Sequence, residues 1–128
     1  MRAALARAVT GVAPFALAIE GLGAFPNPAR ARVVWAGIGD GAATLGALAG
    51  RVDHELAATG FPPEDRPFSP HVTLGRVREP KRNERLAEGL ARERAGFGAV
   101  RVDRVTLMRS ALSPLGARYS ELSTHLLG

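Results

Sequence analysis

Four of the five strand-like segments in this chain occur as two consecutive pairs, with no helix between the members of a pair. Phe15, Leu17 and Ile19 alternate with Ala16, Ala18 and Glu20, which marks a strand starting at Pro14. A Gly/Pro loop, GLGAFPNPAR, separates it from Arg32–Gly37 (RVVWAG), a second strand rich in β-branched and aromatic residues. Toward the other end, Val100 and Val102 share one parity while Val105 and Leu107 share the other. That switch suggests one long strand with a bulge near Asp103. Ser113-Pro114-Leu115-Gly116 then turns the chain into a last alternating strand, Arg118 to Leu126. Consecutive strands joined this closely pair antiparallel, so a wholly parallel sheet is not expected.

Helical segments fill the intervals. MRAALARAV is helix-forming from its first residue, has no cap before it, and ends near Thr10. Asp40 is an N-cap candidate for a helix reaching about Thr59, with Leu45, Leu48, Val52 and Leu56 as its buried stripe. Gly60 and Pro62-Pro63 stop it. His71–Arg76 is a third strand, lying between Pro70 and Pro80. The charged segment Lys81–Arg94 reads as a helix with Leu86 and Leu90 on one face and Gly96 as its stop. The expected fold is therefore α+β, a mainly antiparallel sheet with flanking helices. With 128 residues and 46% apolar content, one domain over residues 1–128 is expected.

Several functional classes recede on composition. The chain has no cysteine, which excludes disulfides and thiolate metal sites and fits a cytoplasmic protein. No apolar run is long enough for a membrane span. Arg7, Gly11 and Pro14 interrupt the apolar N-terminal stretch, against a signal peptide. The net charge is +5, carried by arginine with Lys81 as the one lysine, and it favours phosphate-bearing partners.

Chemistry concentrates in the third strand. Strict alternation puts His71, Thr73 and Gly75 on one face and Val72 and Leu74 on the other, where the apolar pair would pack on helices. Imidazole can give or take a proton near neutral pH, and a threonine hydroxyl can hydrogen-bond a phosphoryl oxygen. Spacing alone leaves open a half-exposed strand whose polar face merely meets water.

The surrounding residues add a likeness. Pro70-His71-Val72-Thr73-Leu74-Gly75-Arg76-Val77 resembles the second H-x-T motif of the 2H phosphoesterase superfamily. Within it, the likeness is to the bacterial and archaeal RNA 2′,3′-cyclic phosphodiesterases, long called 2′-5′ RNA ligases. GLGAFPNPARARVVWAGI resembles that family's two central strands, GFPPEDRPFSPHVTLGRV its second motif with lead-in, and VTLMRSALSPLGARYSEL its closing hairpin. The resemblance implies a two-lobed α+β fold with a basic cleft and two H-x-T motifs facing each other, without metal or cofactor. One histidine would activate water and the other protonate the leaving ribose oxygen, while the threonines hold phosphate. The implied substrate is an RNA end with a 2′,3′-cyclic phosphate, opened to a 2′-phosphate, with 2′-5′ ligation as a related reaction.

Carried onto this chain, the resemblance makes His71 an acid–base group and Thr73 a phosphate ligand. Arg76 is a substrate-phosphate candidate. Strict alternation puts it with Val72 and Leu74, unless a bulge permitted by Gly75 turns it over. Tyr119 and Phe25 are base-stacking candidates with packing as the competing role, and Ser110 is a polar candidate. The chain departs from the family in holding one H-x-T. His54 reads as solvated, and His125 lacks a threonine two positions on. A family member with an incomplete first lobe is expected, with an exposed sheet edge that could support a homodimer.

Two other functional classes compete. Gly37-Ile38-Gly39-Asp40-Gly41-Ala42 matches G-x-G-x-x-A between a strand and a helix, as in dinucleotide-binding proteins. The acids about 20 residues on, Asp53 and Glu55, fall within the helix rather than at the end of a next strand, and the βαβ rhythm is missing. A non-catalytic remnant that holds RNA ends with one motif is the other competitor.

Overall fold

The computed structural model describes residues 1–79, 81–93 and 96–128. Along the chain run α1 (Arg2–Val9), β1 (Phe15–Phe25), a 3-10 turn (Pro28–Arg30), β2 (Val33–Ile38), α2 (Ala42–Ala57), β3 (His71–Arg76), α3 (Glu84–Arg92), β4 (Gly96–Val102), β5 (Arg104–Ser113) and β6 (Gly116–Leu126). Four strands form one sheet in the order β3-β2-β1-β4, and β5 and β6 form an antiparallel pair. β2 runs antiparallel to both of its neighbours. The expected α+β class with antiparallel pairing is what the chain adopts.

The chain divides into two compact units. The first comprises residues 1–15, 47–67 and 102–128. Its core joins Val9 of α1, Leu48 of α2 and Leu127, with Val12, Phe15, Val102 and Val105 packed around them. Arg51 ties α1 to α2. Its Nε donates to the Ala8 carbonyl at 2.7 Å and its Nη2 to the Thr10 carbonyl at 2.8 Å. These carbonyls at the end of α1 lack intrahelical partners, and a cation there also meets the negative end of the helix dipole. Arg7 Nε pairs with Glu55 Oε2 at 2.8 Å, and that hydrogen bond holds the Glu55 carboxyl below its ordinary pKa. Arg51→Met, which keeps the apolar stem, is expected to destabilise the protein by about 1 kcal/mol. Urea unfolding measures this, and an unchanged midpoint would mean that water replaces the guanidinium at no cost.

The second unit comprises residues 16–46 and 68–101. Ala24 of β1, Ala31 and Leu90 of α3 form its core, with Leu22, Val34, Val77 and Leu86 around them. Asn83 caps α3 by accepting from Leu86 N at 3.0 Å, so Leu86 and Leu90 face the sheet as their spacing predicts. The helix ends at Arg92 with Glu93 as its cap. Gly96 therefore does not stop it but opens β4. Arg94, the expected helix end, and Pro80, the expected bracket of β3, lie outside the described residues.

Three further expectations are corrected. β1 does not stop before GLGAF but continues to Phe25, shifting register between Glu20 and Leu22 so that Gly21 is accommodated as a bulge. The parity switch at Asp103 is not a bulge in one strand. β4 ends at Val102 in one sheet and β5 begins at Arg104 in the other. Alternation records which way side chains point, not which sheet a strand has joined. Finally, Val72 and Leu74 are not packed beneath helices; they are 41% and 58% exposed. They line an open apolar concavity of about 400 Å³ with Ile19, Leu22, Ala36 and Phe97.

The glycines between β2 and α2 are occupied with the fold. Gly39 N donates to the Ala18 carbonyl and Ala18 N to the Asp40 carbonyl, both at 2.9 Å, which straps the turn to β1. Gly41 has φ +91°, and a Cβ there would strike the Ala16 carbonyl oxygen and approach Leu17 Cδ2 to 2.8 Å. With β2 antiparallel to both neighbours, these glycines do not open a parallel βαβ unit.

Candidate active site

Register across three strands builds the site. Trp35 of β2 lies opposite Gly23 of β1 and Thr73 of β3, while Gly37 lies opposite Glu20 and His71. Phe25 lies opposite Val33, two residues from Trp35. Directly opposed residues share a face, and so do residues two apart. Phe25, Trp35, His71 and Thr73 therefore stand on one face, with Ala36 and Val72 on the other.

The rings form a cluster. His71 meets Phe25 edge to face, with centroids 5.1 Å apart and planes at 87°. Trp35 lies 6.1 Å from His71 and 5.2 Å from Phe25. His71 Nδ1 is 2.7 Å from the Ser69 carbonyl oxygen. A carbonyl can only accept, so Nδ1 carries a proton and donates it. The neutral ring then presents Nε2 as its free lone pair, and the protonated ring presents an N–H at the same place. Two aromatic rings and one backbone oxygen thus set the aim of an exposed imidazole.

Arg76 turns on a register shift. Between Val34 and Trp35 the pairing passes from Gly75 to Thr73, which leaves Leu74 as the extra residue. Arg76 consequently lies opposite Val33 and counts onto the face of Trp35 and Thr73, not onto that of Val72. Strict alternation fails here because the strand carries a bulge. Ser110 and Tyr119 are cross-strand partners on β5 and β6, within the other compact unit. Tyr119 is 67% exposed. Within one unit the structure gathers Phe25, His71 and Thr73, and by register Arg76; it pairs Ser110 with Tyr119 in the other.

His54 lies exposed on α2, and His125 Nε2 is hydrogen-bonded to Ser123 Oγ at 3.0 Å. Among the described residues no three His, Cys, Asp or Glu side chains converge to hold a metal ion, and no helix is long and apolar enough to cross a membrane. Trp35 is the site residue that sequence reasoning missed. It counted only as a strand-forming aromatic, and its signal was the glycine that faces it, Gly23, inside what read as a loop.

The model of the 2′-5′ RNA ligase superfamily matches residues 1–113. An RNA 2′,3′-cyclic phosphodiesterase of Methanothermobacter thermautotrophicus is 39% identical over 118 residues, covering 91% of this chain and 63% of its own length. One from Aeropyrum pernix is 40% identical over 110 residues, covering 84% of this chain and 62% of its own. The chain thus spans a little over three fifths of these relatives. A crystal structure of E. coli LigT complexed with 3′-AMP superposes with a TM-score of 0.71 at 26% identity, covering 98% of this chain and 66% of that one. An exposed, oriented histidine two residues from a threonine, inside a match that runs from the first residue through β5, identifies the chain as a member of the 2′-5′ RNA ligase superfamily.

Proposed function

We propose that this chain acts in an RNA 2′,3′-cyclic phosphodiesterase, which hydrolyses a terminal 2′,3′-cyclic phosphate to a 2′-phosphate. The observation that carries the reading is the aim of His71, whose Nδ1 is tied to the Ser69 carbonyl while Thr73 stands beside it on the same face. Two relatives near 40% identity bearing that activity in their names support it. In the reaction water attacks phosphorus, the bond from phosphorus to O3′ breaks, and the proton taken from water is matched by one given to O3′. His71 Nε2 serves one of these transfers and the Thr73 hydroxyl donates to a phosphoryl oxygen. Arg76 contributes positive charge to the phosphate. Phe25 offers a face to a nucleobase, and Tyr119 and Ser110 stay separate candidates for stacking and polar contact on the β5–β6 pair. In-line displacement needs a base and an acid on opposite sides of phosphorus, so a second proton carrier completes the site. Joining of 2′-5′ ends is the reverse of a related cleavage and needs the same two groups.

An exposed sheet edge would support a homodimer, and Leu112 and Leu115 at the turn of the β5–β6 hairpin leave apolar surface uncovered there. A cytoplasmic location belongs to the same reading. The test is hydrolysis of a dinucleotide 2′,3′-cyclic phosphate by the product of the full reading frame, together with inspection of the frame upstream of Met1 for a second H-x-T. Turnover to the 2′-phosphate is expected. Binding of cyclic-phosphate ends without turnover would replace the enzyme with an RNA-end-binding protein, and neither would end the reading.

A further inference from the structure

We propose that Gly23 is a positioning residue for His71 and Thr73, acting through Trp35: its missing side chain lets the indole lie over β1 and so keeps the space above Thr73 open. The inference rests on the functional reading above for what occupies that space.

The geometry is specific. Trp35 stands between Gly23 on one side and Thr73 on the other, so its indole can lean over β1 or over β3. It leans over β1. A Cβ added at Gly23 would fall inside the indole, 2.8 Å from Cε2 and closer still to Cζ2 and Cη2. The other end of the ring system touches Gly37, where an added Cβ would stand 3.5 Å from Cζ3. The indole thus spans from one glycine to another, and Gly37 is the residue directly opposite His71.

Gly23 does not have the positive φ that would itself demand glycine. Its side-chain space is what the structure uses. No hydrogen bond fixes the indole, since the buried Trp35 Nε1 has no partner among the described residues. Shape alone decides its orientation, and Gly23 is where that shape is open. Filling the niche would push the indole toward β3, across Thr73 and against His71, where the phosphate has to sit.

The variant that tests this is Gly23→Ala, read beside Trp35→Phe and the double variant. Trp35 is the sole tryptophan and the histidines number three, so both reporters are clean. The Cε1–H resonance of His71, assigned by its loss in His71→Gln, is expected to move in Gly23→Ala as the indole changes place beside it. Trp35 emission is expected to shift as well. Turnover of the cyclic phosphate, as kcat/KM, should fall about ten- to a hundredfold, because a misplacement of the order of an ångström costs that much. Phenylalanine at position 35 does not reach the niche, so the double variant should recover to within about threefold of Trp35→Phe alone.

A Gly23→Ala protein with unmoved His71 resonance and emission overturns the proposal. So does a double variant as impaired as Gly23→Ala, which would mean that glycine serves the strand and not the indole. If Gly23→Ala fails to fold, the double variant still decides, since relief of the collision must restore folding too. A wild-type protein without turnover sinks the functional reading alone, and the resonance and emission then decide the positioning.

Discussion

His71→Ala is expected to lower turnover of a 2′,3′-cyclic phosphate by about a hundredfold or more, the usual worth of a positioned acid–base group. The loss should come with an intact fold. His71 is exposed, its polar contact is the Ser69 carbonyl at a loop end, and both Phe25 and Trp35 keep each other as neighbours without it. The stability change is expected to stay within about 1 kcal/mol. Thr73→Ala should differ in kind, raising KM as well as lowering kcat, since a phosphate ligand acts in binding and in the transition state. Kinetics paired with thermal unfolding separate the two outcomes. Full activity in His71→Ala would remove the site from β3 altogether.

Gly41→Ala should lower stability by about 3 kcal/mol. A left-handed conformation at a residue bearing Cβ costs about 1–2 kcal/mol. The added methyl meets the backbone carbonyl of Ala16, which cannot rotate away because its neighbours on β1 are strapped to the same turn; overpacking of this kind adds about 1–3 kcal/mol. For a chain of this size the sum corresponds to a fall in Tm of about 10 °C. Gly89→Ala is the control. It sits inside α3 with open space around its Cβ, so there the same substitution should stabilise by about 0.5–1 kcal/mol. Equal effects at the two sites would show that the turn is more yielding than its geometry indicates. The contrast also bears on the G-x-G-x-x-A match, because glycine at 41 answers to strand β1 rather than to a bound pyrophosphate.

What was legible follows from local rules. The bounds of β3 were readable because Pro70 and local strand propensity act within one segment, while its bulge at Leu74 was not. The α2 stripe was readable because a 3.6-residue period survives any tertiary arrangement, and Leu48 is its most buried member. Several of the errors depended on a neighbouring strand. Gly21 and Gly23 looked like loop residues, yet one makes a bulge and the other gives way to an indole from across the sheet. Arg76 could not be assigned a face because the register shift that turns it is a property of β2 and β3 together. The break at Asp103 needed both sheets to be seen before it could be told from a bulge. The site was half legible for the same reason. His71 and Thr73 stand on one strand, whereas Trp35 joins them only through pairing.

The two compact units are interleaved in sequence, and this has a consequence for how the chain is made. Every residue of the unit that holds His71 lies between Ala16 and Arg101. The other unit draws on the first 15 residues and on everything from Val102 onward. As the chain leaves the ribosome, the His71 unit has all its strands before the β5–β6 pair exists. Val9 and Leu48, by contrast, wait for Leu127, more than 75 residues further on, and the Val12 carbonyl waits for Gly128, whose N–H it accepts at 2.8 Å. Synthesis therefore supplies the strands around His71 before the residues that close the other core, whose contacts join segments far apart in the chain and are slow to form for that reason.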